Sequence, residues 1–395
     1  MRGVVLLVFI LLLPPLVGAE TNSQTVNLEL YRTLGEHDLG IKTGAVSPDG
    51  KDVLLVGQEG FVMLIDAENP QQKQYDKILD PNRNVTIQSV DWHPRGNTAL
   101  IMGDEGIAMR YDSAYMSLTH LNGSTAIYGL DMTTVSWRTG GDFAYFGAVD
   151  GSVWKFAEFY GFEPLNNTLS SEITDISCHR SNNICFASTI ADGIAVITQD
   201  HEVAWLGGTN QESWIGIDCA DPTLNECVAF GSGLKTKVLK INLLEAKNSY
   251  AQETMMLTDV VGDMSAVTRG HDSTSIAYLA PFGLIRNNPL DNEAFSMIQS
   301  NDVGEWDLAI SGKAVKFVWE ESTNNGFIIT DFGHVIEFTP FREEPKAGIM
   351  EFLVFTAVAI SVPGVILGLI YMNSPFLQKK YSQLRKWKRT KKTSK

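Results

Sequence analysis

Basic residues are scarce over most of this chain. Between Glu20 and Gly348 there are 21 Lys and Arg residues against 45 Asp and Glu residues, a net charge of −24. A protein that binds nucleic acid needs a basic face, so this composition argues against a nucleic-acid partner. An acidic surface suits cationic partners or a salty medium, and it is also what a solvated surface without a specific partner would show.

Long apolar runs are also few, and the first of them is short. Arg2 is followed by ten apolar residues, 4–13, and then by the small-residue sequence Val17-Gly18-Ala19. A charged start, an apolar run of this length and a small-residue cleavage site are typical of a secretory signal peptide. We therefore predict that residues 1–19 are a signal peptide and that the mature chain begins near Glu20, the alternative being an uncleaved anchor.

The second apolar run, residues 352–372, has 21 residues and no charge. As a helix it would span about 31 Å, which matches the hydrocarbon core of a bilayer. Nine Lys and Arg residues and no acid follow between Gln378 and Lys395. The positive-inside rule then predicts a single-pass type I membrane protein with an extracytoplasmic body, a linker at 341–351 and a basic cytoplasmic tail at 373–395.

Two features of this end of the chain have more than one interpretation. Gly364 and Gly368 form a small-residue pair that could pack against a second helix in a weak dimer, although small residues are common in membrane helices. The tail could lie on anionic lipid of the inner leaflet, or its charge could serve only to set the topology.

The body between these segments is a repeat array. A tight turn with glycine recurs at intervals of 40–50 residues. Each glycine follows the end of an alternating, strand-like segment by 14 or 15 residues. The turn glycines are Gly60, Gly106, Gly151, Gly193, Gly233, Gly283 and Gly333, and the anchors that end the strands are Val46, Trp92, Trp137, Cys178, Cys219, Thr268 and Trp319.

Units of this length with three or four strands are typical of β-propeller blades. A single blade cannot bury both of its faces, so seven must stack around an axis. The last unit has only three strands, whereas Val26–Tyr31 is a spare strand before the first unit. We predict an all-β, seven-bladed β-propeller over 26–340, in which the N-terminal strand completes the last blade, plus the single C-terminal transmembrane helix.

Several turns carry a family resemblance. The turn Ser47–Gly50, the corner Gln58–Gly60 and the strand end Ile65-Asp66 resemble the WD-repeat propeller superfamily, and the second unit is similar, ending in Tyr111-Asp112. Exported propellers of the quinoprotein-like and photosystem-assembly-factor-like kinds are similar to about the same degree. The resemblance implies a ligand or partner bound on one face of the ring, without identifying it.

The four cysteines form two similarly placed pairs. Cys178 and Cys185 flank one turn, and Cys219 and Cys227 flank the equivalent turn of the next unit. Residues that face each other across such a hairpin can satisfy disulfide geometry, and an exported body lies in an oxidising compartment. We predict two disulfides, the alternative being a zinc site, which would need both pairs to converge.

Few other residues point to chemistry. Asn84, Asn122 and Asn166 begin N-glycosylation sequons. We recognise no catalytic constellation, no cofactor motif and no metal motif, and we therefore predict none.

Three functional hypotheses follow. The first is a membrane-tethered scaffold or assembly module that binds a protein or an extracellular polymer. The second is an exported propeller enzyme, such as a hydrolase, a lyase or a quinone-dependent oxidoreductase, with converging carboxylates, His or Arg in a central pocket. The third is a sensor that passes ligand binding through the helix to another protein.

Overall fold

The structure is a computed structural model that describes residues 25–258, 260–291, 293–300, 313–341 and 369–393. The chain divides into two compact units, Met1–Phe341 and Arg342–Lys395. The predicted signal peptide, most of the linker and most of the predicted membrane span, including Gly364 and Gly368, lie outside the described residues.

In the first unit the described residues form seven antiparallel sheets, one for each predicted repeat. We number these sheets as blades in chain order. Blade 1 comprises β2 (Ile41–Val46), β3 (Asp52–Gly57), β4 (Val62–Asp66) and β5 (Lys77–Ile78). Blade 2 comprises β6 (Ile87–Trp92), β7 (Thr98–Gly103), β8 (Ala108–Asp112) and β9 (Ser117–His120). Blade 3 comprises β10 (Met132–Trp137), β11 (Ala144–Ala148), β12 (Val153–Ala157) and β13 (Gly161–Pro164).

The next three blades follow the same strand order, and blade 5 has an additional fifth strand that pairs with its third strand. Blade 4 comprises β14 (Ile173–Cys178), β15 (Cys185–Thr189), β16 (Ile194–Ile197) and β17 (Val203–Trp205). Blade 5 comprises β18 (Trp214–Asp218), β19 (Glu226–Gly231), β20 (Lys235–Lys240), β21 (Tyr250–Ala251) and β22 (Met255–Met256). Blade 6 comprises β23 (Asp263–Arg269), β24 (Ser275–Ala280), β25 (Gly283–Asn288) and β26 (Glu293–Gln299).

Blade 7 joins the two ends of the propeller sequence. Its strands β27 (Val315–Ser322), β28 (Asn325–Thr330) and β29 (His334–Pro340) come from the last repeat, and its outermost strand is β1 (Val26–Thr33). Strand β1 runs antiparallel to β29, from Val26 opposite Pro340 to Thr33 opposite His334. The prediction that the N-terminal strand closes the last blade is therefore confirmed.

Each blade has two edges that we name here. The glycine edge carries the corner between the second and third strands and the connection to the next blade. The turn edge carries the turn between the first and second strands and the turn between the third and fourth strands. All seven predicted corner glycines have positive φ. At Gly106 (φ +70°) a Cβ would lie 2.1 Å from the carbonyl oxygen of Ile127, so no side chain fits this corner.

The core lies between adjacent blades. Leu54 and Leu64 of blade 1 pack in one buried cluster with Ile101 of blade 2, and similar clusters continue from blade to blade. Two of the predicted strand anchors also bridge neighbouring blades. The indole Nε1 of Trp92 donates to the carbonyl of Ala45 at 2.9 Å, and that of Trp319 donates to the carbonyl of Ala67 at 3.1 Å. Burial on both faces of each sheet thus requires the whole ring.

The helical content of the described residues is small. The first unit has single-turn 3-10 helices, and the second unit has one α-helix, α1 (Pro375–Thr393). The 3-10 helices are Gln58–Gly60, Lys73–Tyr75, Asp104–Gly106, Ser124–Ile127 and Ala246–Asn248. Within the described ranges we find no helix with the length and apolar character needed to cross a membrane.

Candidate binding site in the central channel

The first strand of each blade faces the axis of the ring, and these seven strands enclose a central channel of about 1000 Å³. The turns between first and second strands also line this space, so it opens at the turn edge. Its wall is mostly polar because the first strand is the inner edge of its sheet and its free N–H groups need partners there.

Two acidic side chains of the wall supply such partners across blade boundaries. A carboxylate oxygen of Asp91, in blade 2, accepts a hydrogen bond from the backbone N–H of Trp137, in blade 3, at 2.7 Å. A carboxylate oxygen of Asp175, in blade 4, accepts one from the backbone N–H of Ile217, in blade 5, at 2.8 Å. Each carboxylate therefore ties its blade to the next one along the chain.

Hydroxyl groups make weaker ties of the same kind. The hydroxyl of Ser89 accepts from the N–H of Val135 at 3.3 Å, and the hydroxyl of Thr134 accepts from the N–H of Ile176 at 3.4 Å. Ser89, Thr134 and Asp175 each lie two residues after the first residue of their strands. Blades 2 to 5 are thus joined through one repeated position of the inner strand.

The two carboxyl groups are also shifted in acidity. Burial raises the pKa of Asp91 to about 7, against the opposing effects of the Trp137 N–H and the positive charge of Arg269. Burial raises the pKa of Asp175 to about 6, again opposed by backbone N–H groups, first that of Ile217. At both positions, the free-energy cost of removing the carboxylate from water is larger than the stabilisation that its two or three hydrogen bonds provide.

A third carboxylate, that of Asp218, joins blade 5 to blade 6. Its oxygens accept one hydrogen bond from the Arg269 guanidinium at 3.0 Å and another from the Ser275 hydroxyl at 2.7 Å. The same guanidinium nitrogen also donates to the carbonyl of Cys219 at 2.9 Å. Asp218 is 5 % exposed, so its carboxylate and one guanidinium nitrogen of Arg269 are paired with each other within the channel wall.

Blade 6 is joined to blade 7 by a buried ion pair between Arg286 and Glu320, whose side chains are 3 % and 0 % exposed. The Glu320 carboxylate also accepts from the backbone N–H of His271 at 2.6 Å and from that of Asn324 at 3.0 Å. The Arg286 guanidinium donates further to the Thr274 hydroxyl at 2.7 Å. These extra bonds offset part of the desolvation of the buried pair, whereas the Nε of Arg286 is buried and has no hydrogen-bond partner within the described residues.

Arg180 differs from these groups. It lies in the first turn of blade 4, lines the channel at the turn edge and is exposed. Within the described part of the chain its guanidinium takes part in no salt bridge. The mouth of the channel therefore presents a cation that is available to an incoming group.

The predicted cysteine pairs both form disulfides, Cys178–Cys185 and Cys219–Cys227. Cys178 and Cys185 face each other in the ladder of β14 and β15. Both bridges close turns at the turn edge, in neighbouring blades next to the channel mouth. The zinc alternative is thereby ruled out for these four residues.

The three predicted sequon residues are all exposed and all lie at the glycine edge. Asn84, Asn122 and Asn166 belong to the connections that follow blades 1, 2 and 3, between the outer strand and the next inner strand. Their modification stays a prediction. If all three carry glycans, the glycine edge of these blades is covered and the turn edge is left free.

The sequence reasoning missed the acidic residues of the channel. A weak signal exists, because Asp91 and Asp218 each immediately precede a strand anchor, Trp92 and Cys219. An acid inside an alternating first strand, where the neighbouring strands carry Ser or Thr, marks an inward-facing position. The residues adjacent to each acid in the sequence do not indicate which blade its carboxylate contacts.

Comparison with known proteins supports the β-propeller fold and identifies no family for this chain. No family model and no curated protein sequence matches this chain, so the WD-repeat and quinoprotein-like resemblances stay predictions. Among solved structures, the chain is similar to a catalytically inactive virginiamycin B lyase from Staphylococcus aureus solved with quinupristin. The TM-score is 0.61 and the identity 11 %, over 80 % of this chain and 100 % of that one. At this identity the likeness shows a shared β-propeller fold alone.

Proposed function

We propose that this chain is a membrane-tethered, extracytoplasmic propeller that acts as a scaffold and binds a protein or polymer segment at the channel mouth of its turn edge. The tether is the span predicted at 352–372, with the propeller outside and the basic tail in the cytoplasm. The observation that carries the proposal is that the acidic side chains of the channel wall are paired, whereas a cation at its mouth is not, in the part of the chain that the structure describes. Asp91, Asp175 and Asp218 hold neighbouring blades together, whereas Arg180 at the mouth has no ion pair within the described residues.

Binding by a preassembled wall is favoured for a physical reason. A surface whose charged groups are already fixed by hydrogen bonds loses little conformational entropy when a partner docks. Arg180 can then pair with a carboxylate or another anionic group of the partner, in a site that the nearby protein partly shields from water. The sequons lie at the opposite edge, which would leave the mouth unobstructed.

The test is site-specific photo-crosslinking of the full chain in its own membrane. A photoreactive residue replaces either Arg95, in a turn at the turn edge of blade 2, or Glu105, at the glycine edge of the same blade; both are exposed. We expect partner adducts from position 95, and we expect Arg180→Glu to reduce them. Adducts from position 105 alone, or none from either position, would contradict the proposal.

An exported enzyme remains the second candidate, and one observation favours it. Asp91 and Asp175 line the channel with pKa values raised to about 7 and about 6, in the range that suits general acid–base catalysis. The similar structure is that of a lyase. Turnover of an extracellular polymer or peptide by the purified chain, lost in Asp91→Asn and Asp175→Asn, would establish this candidate in place of the scaffold.

A further inference from the structure

Large apolar side chains are exposed at one repeated position of the propeller, the turn between the third and fourth strands. Tyr115 and Met116 occupy this turn in blade 2, and Phe159 and Tyr160 occupy it in blade 3, where Phe159 is 95 % exposed. In blade 1 Tyr75 lies near the end of this connection, and exposed Ile78 follows in the outer strand. We call these six residues the apolar arc.

Contacts between neighbouring blades place the parts of the arc next to each other. The Lys77 ammonium of blade 1 contacts the sulfur of Met116 in blade 2. The Arg110 guanidinium of blade 2 pairs with Glu158, the residue before Phe159 in blade 3. The arc ends at blade 4, whose equivalent turn, 198–202, contains only polar residues. Three adjacent blades therefore carry exposed apolar side chains at neighbouring positions, with charged residues between them.

The chain leaves the propeller at the same structural position. Blade 7 has no turn between its third and fourth strands, because β29 ends there at Pro340 and β1 begins there at Val26. Phe341 follows directly, and its N–H donates to the carbonyl of Thr25 at 2.7 Å. The segment that leads to the predicted membrane span thus starts where the other blades carry these turns.

The arc also adjoins the blade from which the chain leaves. Arg32, in β1 of blade 7, forms an ion pair at 2.6 Å with Asp76, the residue after Tyr75. This pair fixes the connection of blade 1 against the outer strand of blade 7. Arg32 lies opposite Val335, at the other end of β1 from Val26, so this pair joins blade 1 to blade 7 away from the point where the chain leaves. From blade 1 the arc continues through blades 2 and 3.

We propose that the apolar arc contacts the lipid surface of the membrane to which the chain is tethered, so that the propeller leans on blades 1 to 3. This inference rests on the tether of the proposed function. Tyr side chains are enriched at bilayer interfaces, Phe side chains insert at the headgroup boundary, and clustered exposed apolar side chains mark interaction sites. Exposed Lys73 and Lys77 flank Tyr75 and can reach lipid phosphates while their stems stay on apolar surface.

The test uses the full chain in phosphatidylcholine vesicles, with and without a nitroxide on the lipid acyl chains. The chain's four cysteines are all in disulfides, so an introduced cysteine is the single free thiol. An environment-sensitive fluorophore is attached to the Phe159→Cys variant. Because Phe159 is almost fully exposed, this substitution removes no core contact.

Two matched positions serve as controls. Leu244, fully exposed, lies in the equivalent connection of blade 5, and Tyr128, 72 % exposed, lies at the glycine edge. We expect nitroxide lipid to cause a loss of emission at position 159 and no loss in the Leu244→Cys and Tyr128→Cys variants. Equal emission at 159 with and without nitroxide, or an equal loss at 244, would overturn the proposal.

Alkaline carbonate extraction of the same vesicles separates this outcome from failure of the tether. A chain that stays with the vesicles but shows no loss of emission at position 159 keeps its tether and lacks the lipid contact. A chain released by carbonate has no membrane span, and in that case the proposed function itself fails.

Discussion

The carboxylate of Asp91 accepts a hydrogen bond from the backbone N–H of Trp137 at 2.7 Å, across the boundary between blades 2 and 3. This one bond ties together two units that the sequence shows only as separate repeats. The bond is made in a place where burial raises the pKa of Asp91 to about 7. Neighbouring blades are thus joined by a group whose charge is costly near neutral pH.

The first prediction concerns pH. Because the folded-state pKa of Asp91 lies above the ordinary value of 3.8, the folded chain binds more protons than the unfolded chain between these values. The free energy of unfolding should therefore fall as pH rises from about 4 to about 7. Asp91→Asn should flatten this fall, as measured by thermal unfolding at several pH values.

Asp49 is the matched control for this experiment. Its hydrogen bond from the Ser47 hydroxyl lowers its pKa below 3.8, so its contribution is lost only at lower pH. Asp49→Asn should leave the fall between pH 4 and 7 unchanged. Identical pH profiles for the native chain and Asp91→Asn would show that Asp91 does not carry the effect.

The second prediction concerns the buried pair of Arg286 and Glu320. Glu320→Ala should lower the free energy of unfolding by about 3–5 kcal/mol, because it leaves the Arg286 charge buried without its partner. The exposed pair of Lys51 and Asp49, 3.3 Å apart, is the control. Lys51→Ala should cost less than about 1 kcal/mol.

Urea unfolding measures both variants. A double variant, Arg286→Met with Glu320→Leu, should be more stable than Glu320→Ala, because it leaves no buried charge unpaired. If Glu320→Ala were no more harmful than Lys51→Ala, the pair would not contribute to the contact between blades 6 and 7.

The third prediction concerns ring closure. Deletion of residues 25–33 removes β1, which leaves β29 unpaired and exposes the buried side chains of Ile336 and Phe338. We expect the deleted chain to lose the cooperative thermal transition, since blade 7 then has neither its outer strand nor a closed core. Near-ultraviolet circular dichroism reports the loss of fixed aromatic packing.

A synthetic peptide with the sequence of residues 25–33 should restore the transition by adding the missing strand to β29. A peptide of the same composition in scrambled order is the control. Native-like unfolding of the deleted chain without any peptide would mean that the ring is stable without closure.

The fourth prediction concerns the disulfides at the turn edge. The bridge between Cys178 and Cys185 closes a loop of about eight residues, for which the chain-entropy model gives about 2.5 kcal/mol. The double variant Cys178→Ala with Cys185→Ala should lose about this much stability. The variant that also replaces Cys219 and Cys227 should be insensitive to a reducing agent, whereas the native chain should unfold at lower temperature when reduced.

The fold could be predicted from the chain because a propeller repeats itself. The interval between strand anchor and corner glycine is a local property, set by strand length and by the need for positive φ at residues such as Gly106. The spare strand beginning at Val26 was recognisable because the last repeat lacked a fourth strand. The cysteine pairs could be read for the same reason, since each flanks a single turn.

The channel and the apolar arc could not be predicted in the same way. Asp91 is near Trp137 because two inner strands meet at an axis, and 46 residues of chain separate them. Phe159 is exposed because its turn projects from the third blade, whereas similar aromatic residues in the strands, such as Phe156, are buried. Composition alone does not separate these cases.

The amino-acid sequence by itself determined the number of blades, the corners, the closing strand and the cysteine pairing, since each depends on residues close in the chain or on the count of repeats. The tertiary structure alone decided that acidic side chains tie the blades around a channel, that Arg180 stays available at its mouth and that the sequons share one edge. These features arise only when seven sheets are arranged around one axis, because the axis brings together residues that no local spacing relates.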